Sequence, residues 1–346
     1  MQSPSFSLTV KSIVQETQDT ITLVFEKSPY LLNYQAGAFI TLFIPIGEEV
    51  LHRSYSLSTC VATDDFPAIT IKRIPKGKVS NYLHDEIKVG DSIKAKGPKG
   101  NFVLPKKIRS AYQAVYIAGG SGITPIFSMI KSLLYQHPDS QVFLIYANRN
   151  QSNIIYAQAL KKLALTYASR IQVVHILSQP TPEWQGLSGR LTSTLIRDLL
   201  RDKIMLSRKT DYFLCGPEGL MDVAYATLRG EGVDVGKIHQ EKFKVALPKK
   251  PSAQQAKSLV IHYEGVAHSC KILPGETILD VALDKGIDIP FSCSSGMCNT
   301  CRAKCIKGKV DMLADEGLDE EEREAGYVLT CVGFPATEEV VIEVED

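Results

Sequence analysis

Four cysteines, Cys293, Cys298, Cys301 and Cys331, carry the most specific chemistry in this sequence. Three of them fall in the run Pro290-Phe291-Ser292-Cys293-Ser294-Ser295-Gly296-Met297-Cys298-Asn299-Thr300-Cys301, and the fourth follows 30 positions later. The spacing C-x4-C-x2-C with a distant fourth cysteine is one that holds a 2Fe–2S cluster. Thiolates suit iron because sulfur is a soft donor that deprotonates on binding. Gly296 sits inside the loop, where the backbone must bend tightly and aim N–H groups at sulfur. A zinc site would show two paired CxxC units, and only Cys298/Cys301 forms one. Cys270 and Cys305 do not fit the ligand spacing and read as small buried residues. Such a cluster handles single electrons, so the rest of the chain has to deliver them.

Three upstream runs could do so. Arg53-Ser54-Tyr55-Ser56 lies on a predicted strand, where residues 53 and 55 face one way and 54 and 56 the other. A tyrosine on a strand is more often core than cofactor platform. Its meaning changes because Gly77-Lys78-Val79-Ser80 follows and opens a candidate helix, Ser80–His84, with Ser80 as N-cap. A helix N-terminus is an anion site, and with an aromatic ring and an arginine it suits a flavin and its pyrophosphate. Next, Gly119-Gly120-Ser121-Gly122-Ile123-Thr124-Pro125 forms a glycine-rich turn between strand and helix, with Thr124 as N-cap and Pro125 at the first helical position. Alone it reads as a plain tight turn. Leu214-Cys215-Gly216-Pro217-Glu218-Gly219 repeats the arrangement, and in a parallel sheet both turns open on one edge, as a dinucleotide site requires.

The elements that must position these residues change along the chain. Residues 1–110 read as short strands (Ser7–Val14, Thr20–Glu26, Phe39–Ile44, Arg53–Ser58, Ile69–Ile74, Ser92–Ala95) separated by turn residues, which fits a small antiparallel β-barrel. In residues 111–243, apolar strands (Ala114–Ala118, Val142–Tyr146, Ile171–Ile176, Tyr212–Leu214) alternate with helices (Pro125–Tyr135, Ile154–Ala168, Leu191–Asp202, Pro217–Arg229). That alternation predicts a doubly wound α/β unit with a parallel sheet. Residues 244–258 are polar, contain two prolines and read as a linker with an r.m.s. span of ~20 Å. Residues 259–346 form a third unit. It has strands Ser258–Tyr263 and Ala267–Ile272, a helix Ile278–Lys285 ended by Gly286, and the cysteine loop. A strand Tyr327–Cys331 delivers the fourth ligand, an acidic helix spans Asp319–Ala325, and Val340–Val344 is the last strand.

The 346 residues carry a net charge of only +1, but the charge is divided. Residues 259–346 hold seven basic and eighteen acidic side chains, net −11, whereas the rest holds 32 basic and 20 acidic, net +12. Such asymmetry either steers charged partners or only keeps the surfaces solvated. No basic stripe with interleaved aromatics points to nucleic acid. No apolar run of about 18 residues points to membrane insertion. The first residues lack a basic n-region and apolar h-region, which predicts a cytoplasmic protein whose cysteines are ligands or thiols rather than disulfides.

Taken in order, these motifs make the chain resemble the ferredoxin–NADP reductase superfamily over residues 1–243, with a plant-type 2Fe–2S ferredoxin domain fused behind. The order FAD, NAD(P), 2Fe–2S is similar to that of the reductase components of phenylacetyl-CoA epoxidase and related oxygenase systems. The resemblance implies a β-grasp, α+β fold for residues 259–346. It implies that Arg53 and Gly77, Lys78, Val79 and Ser80 hold the FAD pyrophosphate, that Tyr55 stacks on the isoalloxazine, and that Ser56 bonds near its N5. Lys72 would face the AMP side. Gly119, Gly120, Gly122 and Thr124 would line the dinucleotide, with Cys215, Gly216 and Pro217 beside the nicotinamide. Glu241 and Phe243 match a family ending whose aromatic ring covers the flavin. NADPH-using relatives often carry Ser-Arg where this chain has Ser178-Gln179. Arg149 and Arg190 could supply a cation for a 2′-phosphate, and no acidic residue ends that strand, so NADPH and NADH both fit. The implied flow runs from NAD(P)H through FAD to the cluster, and then to a protein acceptor. That acceptor is an oxygenase component of the phenylacetate-degradation kind, or a small redox carrier if the chain is a general NAD(P)H–ferredoxin or flavodoxin reductase. A redox sensor without turnover is the reading from outside enzymes.

Overall fold

The computed structural model describes residues 5–47, 49–201, 210–243, 255–291, 296, 299–315 and 317–345. The chain divides into two compact units, Pro4–Glu241 and Lys242–Asp346.

The first unit begins with β1 (Phe6–Thr17), β2 (Thr20–Phe25), β3 (Phe39–Ile46), β4 (Glu49–Ser56), β5 (Ala68–Lys72) and β6 (Ser92–Lys99). They form an antiparallel sheet in the order β4-β3-β6-β1-β2-β5. A bridge between Leu57 and Ile69 joins its two edges and closes it into the expected barrel. Alternation fills the interior: Phe6, Leu8 and Val10 on β1, Ile21, Leu23 and Phe25 on β2, and Ile40, Leu42 and Ile44 on β3 all point inward. Helix α1 (Lys78–Asp85) adds Val79 and Leu83, one helical turn apart, to that core. The helix starts earlier than its sequence suggests. Gly77 is the N-cap, and Ser80 lies inside the first turn.

The second sheet contains β7 (Gln113–Gly119), β8 (Gln141–Asn148), β9 (Ile171–Leu177), β10 (Leu187–Ser188), β11 (Thr210–Cys215) and β12 (Ile238–Glu241). All pairings are parallel, in the order β10-β9-β8-β7-β11-β12. Helices α2 (Ile123–Gln136) and α3 (Ala157–Thr166) cover one face, and α4 (Ser193–Arg201) and α5 (Glu218–Gly230) the other. The strands show why. On β7, Ala114, Tyr116 and Ala118 face α2 and α3, while Val115 and Ile117 face α4 and α5. The α2/α3 face is rich in rings that end in hydroxyls (Tyr112, Tyr116, Tyr146, Tyr156), and the other face is mainly aliphatic. Strand order reverses between β7 and β11, so a crevice opens at their carboxyl ends. Strands β10 and β12 are short edge additions that the sequence pattern did not reveal. Helix α3 begins at Ala157 rather than Ile154, because Gln151–Asn153 form a 3-10 turn and Tyr156 is left-handed.

The second unit is built from β13 (Lys257–Tyr263), β14 (Val266–Ile272), α6 (Ile278–Asp284), β15 (Arg302–Lys307), β16 (Val310–Met312), α7 (Glu320–Glu324), β17 (Tyr327–Leu329), β18 (Gly333–Pro335) and β19 (Glu339–Val344). Five strands form a mixed sheet, β14-β13-β19-β15-β17, with β13 and β19 parallel, and β16 pairs β18. Helix α6 buries Ile278, Leu279, Val281 and Ala282, which gives the α+β β-grasp arrangement. A capping box between Thr277 and Asp280 starts α6, and Gly286 (φ +73°) ends it as expected. Most of the linker window, 244–254, lies outside the described residues. Its end does not behave as a linker, since Lys257 and Ser258 already pair with Ile272 and Lys271. No helix among the described residues is long and apolar enough to cross a membrane.

Candidate active site and metal centre

The motif Arg53-Ser54-Tyr55-Ser56 ends β4, paired against Phe39–Leu42 of β3. Ser54 bonds Thr41 across the pair (3.0 Å), and Ser56 is buried. Tyr55 packs against the barrel core, and burial pushes its phenol up while the nearby Arg53 charge opposes that shift. The tyrosine therefore stays neutral, as a stacking platform requires. Arg53 is exposed and donates to the His52 carbonyl at 2.6 Å. At α1, no side chain caps the helix. A Cβ on Gly77 would lie 2.7 Å from Ser80 Oγ, so the turn is drawn close enough to cradle an anion on main-chain N–H groups. Ser80 Oγ accepts from the Ile74 N–H (3.1 Å) instead of capping α1. Its own proton remains available as a donor. Val79 buries its side chain in the barrel, which leaves only its backbone for a ligand, and Lys78 is exposed. Lys72 pairs with Asp19 at 3.4 Å. These donors fit a flavin pyrophosphate.

The carboxyl edge of the parallel sheet collects the remaining residues. Gly119 ends β7, Cys215 ends β11 and Glu241 ends β12, with Cys215 in register with both Ala118 and Glu241. The two turns touch backbone to backbone. A Cβ on Gly122 would lie 2.1 Å from the Cys215 carbonyl oxygen, one on Gly216 would lie 2.8 Å from Gly119 N, and one on Gly119 would lie 2.6 Å from Pro217 Cδ. Around Gly120 (φ +52°) the space is open. Helix α2 starts at Ile123 with Gly122 as N-cap and no capping side chain. Thr124 is thus not the cap. Its hydroxyl donates back to the Ser121 carbonyl (3.0 Å), because the tight 3-10 turn Gly120–Gly122 leads straight into the helix. Uncapped N–H groups and open space at Gly120 fit a dinucleotide phosphate. Arg149 follows β8 and Arg190 follows β10, both at this same edge.

The barrel and the sheet meet where Ser56 Oγ donates to Glu241 Oε2 at 3.5 Å. Cys215 is fully buried, and burial together with the Glu241 charge drives its thiol well above the ordinary range. It is a neutral thiol packed in the core, with its backbone at the carboxyl edge of the sheet. Phe243 falls in the second unit, exposed. Sequence reasoning missed two residues here. Tyr146 on β8 donates its hydroxyl to the Gly120 carbonyl (2.9 Å) and so holds the turn. Asn148, at the end of the same strand, has both carboxamide atoms buried without a partner of hydrogen-bond geometry. A polar residue closing an apolar strand beside a glycine turn was the available signal.

In the second unit, Cys301 precedes β15 and Cys331 follows β17, and both are buried (2% and 5% exposed). The β15–β17 register brings them to one end of the sheet, where Thr330 donates to the Cys301 carbonyl from its N–H (3.0 Å) and its hydroxyl (3.1 Å). Cys331 lies on the turn after the strand, not on the strand itself, which ends at Leu329. Gly296 (φ +78°) approaches Ala314 so closely that a Cβ would lie 2.7 Å from its Cβ. Cys293 and Cys298 lie outside the described residues. None of the described cysteines is in a disulfide. Cys270 is buried as expected, whereas Cys305 is half-buried, its Sγ near the Lys307 and Gly308 carbonyls. Two buried thiols at one sheet end, with Gly296 at a position that has no room for a Cβ, fit an iron–sulfur cluster.

A barrel with a flavin cradle, a parallel sheet with a dinucleotide crevice and a cysteine centre define an electron-transfer oxidoreductase. Three family profiles match: "Oxidoreductase FAD-binding domain" at residues 6–104, "Oxidoreductase NAD-binding domain" at 116–225, and "2Fe-2S iron-sulfur cluster binding domain" at 261–336. The ferredoxin reductase component of 3-ketosteroid-9-alpha-monooxygenase from Rhodococcus rhodochrous is 34% identical, over 99% of this chain and 97% of its own length. One of the subunits of 1,2-phenylacetyl-CoA epoxidase from Escherichia coli (strain K12) is 31% identical over 97% of each chain. The solved structure of phthalate dioxygenase reductase superposes with a TM-score of 0.68 at 23% identity, covering 98% of each chain. The chain belongs to the ferredoxin–NADP reductase superfamily, in the branch that carries a 2Fe–2S ferredoxin domain. It is an NAD(P)H-dependent FAD/2Fe–2S oxidoreductase. Bound in these cradles, FAD and the cluster would supply hydride acceptance from NAD(P)H and one-electron transfer, while the residues above would hold and orient them.

Proposed function

We propose that this chain is the reductase component of an oxygenase system and passes electrons from NAD(P)H to a protein oxygenase in the cytoplasm. The observation that carries the hydride half is the meeting of Ser56, Cys215 and Glu241, two of them at the sheet's carboxyl edge and one at the end of the barrel strand β4. In this reading Tyr55 supports the flavin ring, Ser56 bonds it near N5, and Arg53, Ser80 and the N–H groups of residues 77–80 hold its pyrophosphate. Lys72 faces the AMP side. Gly119, Gly120, Gly122 and Thr124 hold the dinucleotide, with Cys215, Gly216 and Pro217 under the nicotinamide and Arg149 or Arg190 toward its adenosine. Glu241 accepts the Ser56 hydroxyl's hydrogen bond and so orients its oxygen toward the flavin. Cys293, Cys298, Cys301 and Cys331 hold the cluster.

The finer reading is an oxygenase of the phenylacetate-degradation type, supported by 31% identity to the epoxidase protein across nearly both whole chains. Relatives that serve ketosteroid and glycine betaine monooxygenases match about as well, so the acceptor assay has to present all three oxygenase types. With FAD and cluster bound, NAD(P)H should reduce cytochrome c and support one of these oxygenases. No turnover under those conditions sinks the proposal. Cys298→Ser should abolish cluster absorption yet keep ferricyanide reduction, which needs only the flavin.

A further inference from the structure

One residue of the first unit links helix α2 to the barrel sheet in an unusual backbone state. Tyr156 precedes α3 with φ +60° and ψ 27°, a left-handed conformation that costs a bulky side chain about 1–2 kcal/mol. Glycine or asparagine would adopt it with less strain, so the side chain must supply the compensation. It is 7% exposed. Its ring stacks on Phe127 of α2, with centroids 4.3 Å apart and planes at 19°. Its hydroxyl reaches across to Thr70 Oγ1 of β5 at 2.5 Å. From there a chain of hydroxyls runs through the barrel wall. Thr70 meets Thr22 at 2.7 Å, and Thr22 donates to Glu16 Oε1 at 2.7 Å. Burial raises the Glu16 carboxyl, and Thr22 and the Tyr156 backbone beside it oppose that shift. Ser58, two residues beyond Ser56, lies against Thr70 with the hydroxyl oxygens 3.4 Å apart and gives its own proton to the Ala68 carbonyl.

The two ends of this contact matter because of what each element carries. Helix α2 opens on the glycine turn at residues 119–122, and β4 ends in Tyr55 and Ser56. Hydride transfer demands donor and acceptor in a narrow geometry, and misplacement by about 1 Å can slow it 100-fold. The geometry points to Tyr156 as a positioning residue for hydride transfer. Its ring fixes α2 and its hydroxyl fixes the barrel, so the dinucleotide turn is held in register with the flavin residues. This rests on the flavin and dinucleotide sites proposed above.

Tyr156→Phe and Thr70→Val remove the same bond from opposite sides. Both variants should retain FAD and bind oxidised dinucleotide with an unchanged dissociation constant by calorimetry. The limiting rate of flavin reduction in anaerobic stopped flow should fall roughly tenfold, and the double variant should fall no further. Amide hydrogen exchange, read on protein with and without FAD, should rise at β5 and in the first turn of α2. A limiting rate within about twofold of the parent in either folded variant overturns the inference. So does weaker dinucleotide binding at an unchanged limiting rate. Flavin content and dinucleotide affinity of Gly77 and Gly122 variants report separately on the site assignment.

Discussion

Two glycine turns open helices in the first unit, and they are built differently. Both were expected to carry a side-chain cap, Ser80 or Thr124, and both use a glycine cap instead. At Gly122 the space a Cβ would need is filled by main chain, the Cys215 carbonyl at 2.1 Å. At Gly77 it is filled by a side chain, Ser80 Oγ at 2.7 Å, which can rotate away. The first turn is locked by another strand's backbone. The second is held by Ser80 of its own helix and by Ile74 of the segment just ahead of it, with no other strand involved. A turn fastened to a neighbouring strand cannot relax without moving the sheet, so the dinucleotide crevice is the more rigid of the two cradles.

That difference is breakable by substitution. Gly122→Ala should be the most damaging. We expect about 3 kcal/mol of lost stability and at least about a tenfold weaker hold on NAD(P)H, read by thermal unfolding and by titration. A fully stable Gly122→Ala protein would contradict the backbone lock. Tyr146→Phe comes next. It strips the Gly120 carbonyl of its donor at a cost of about 1–2 kcal/mol, and should raise the KM for NAD(P)H several-fold while FAD content stays the same. Gly77→Ala should be milder. Its backbone (φ −73°) suits any residue, so the disturbance is confined to the Ser80–Ile74 bond and to Ile74 contacts at 3.1 and 3.2 Å, about 1 kcal/mol, seen as faster FAD loss on dilution.

Acid sharpens the comparison further. His84 lies in the last turn of α1, its Nε2 3.0 Å from the Ile71 carbonyl, and burial pulls its pKa down. Arg73 adds to that shift, while the Ile71 carbonyl, Asp85 and Asp19 oppose it. The folded pKa lies below the unfolded value near 6.5, so the folded form binds fewer protons. The stabilising contribution is present above about pH 6.5 and is lost as pH falls through the folded pKa. Retention of FAD should therefore weaken between pH 7 and 5, and His84→Gln should flatten that profile. Dinucleotide binding should show no component from His84.

Much of the architecture was legible because it is written in periodicity. Val142, Leu144 and Tyr146 alternate with Phe143 and Ile145, and a strand buried on both faces leaves a continuous apolar run. The glycine turns were legible as composition. What they do was not. Serine or threonine ahead of an apolar run is the usual cap signal, and nothing local reveals that another strand's carbonyl occupies the space beside Gly122. The strand β12 hid for a different reason: Ile238–Glu241 is short and mostly polar, and only its parallel partner β11 makes it a strand. Tyr156 was invisible because left-handed backbone is read from glycine or asparagine, and a tyrosine enters that state only when tertiary contacts hold it there. Cys331 was placed one element too early, because the apolar run Tyr327–Leu329 continues through Val332 in sequence while the chain turns at Thr330.

The uneven lining of the parallel sheet has an evolutionary side. Toward α4 and α5 the residues are mostly interchangeable aliphatics such as Val115, Ile117, Ile145 and Leu214, which tolerate one another's shapes. Toward α2 and α3, ring hydroxyls such as those of Tyr146 and Tyr156 are spoken for by named acceptors, so a swap of equal volume still orphans a bond. Neutral drift should therefore be fast on one side of a single sheet and slow on the other. Surviving clones from a randomised library would record that asymmetry as two different substitution spectra on alternate residues of the same strand.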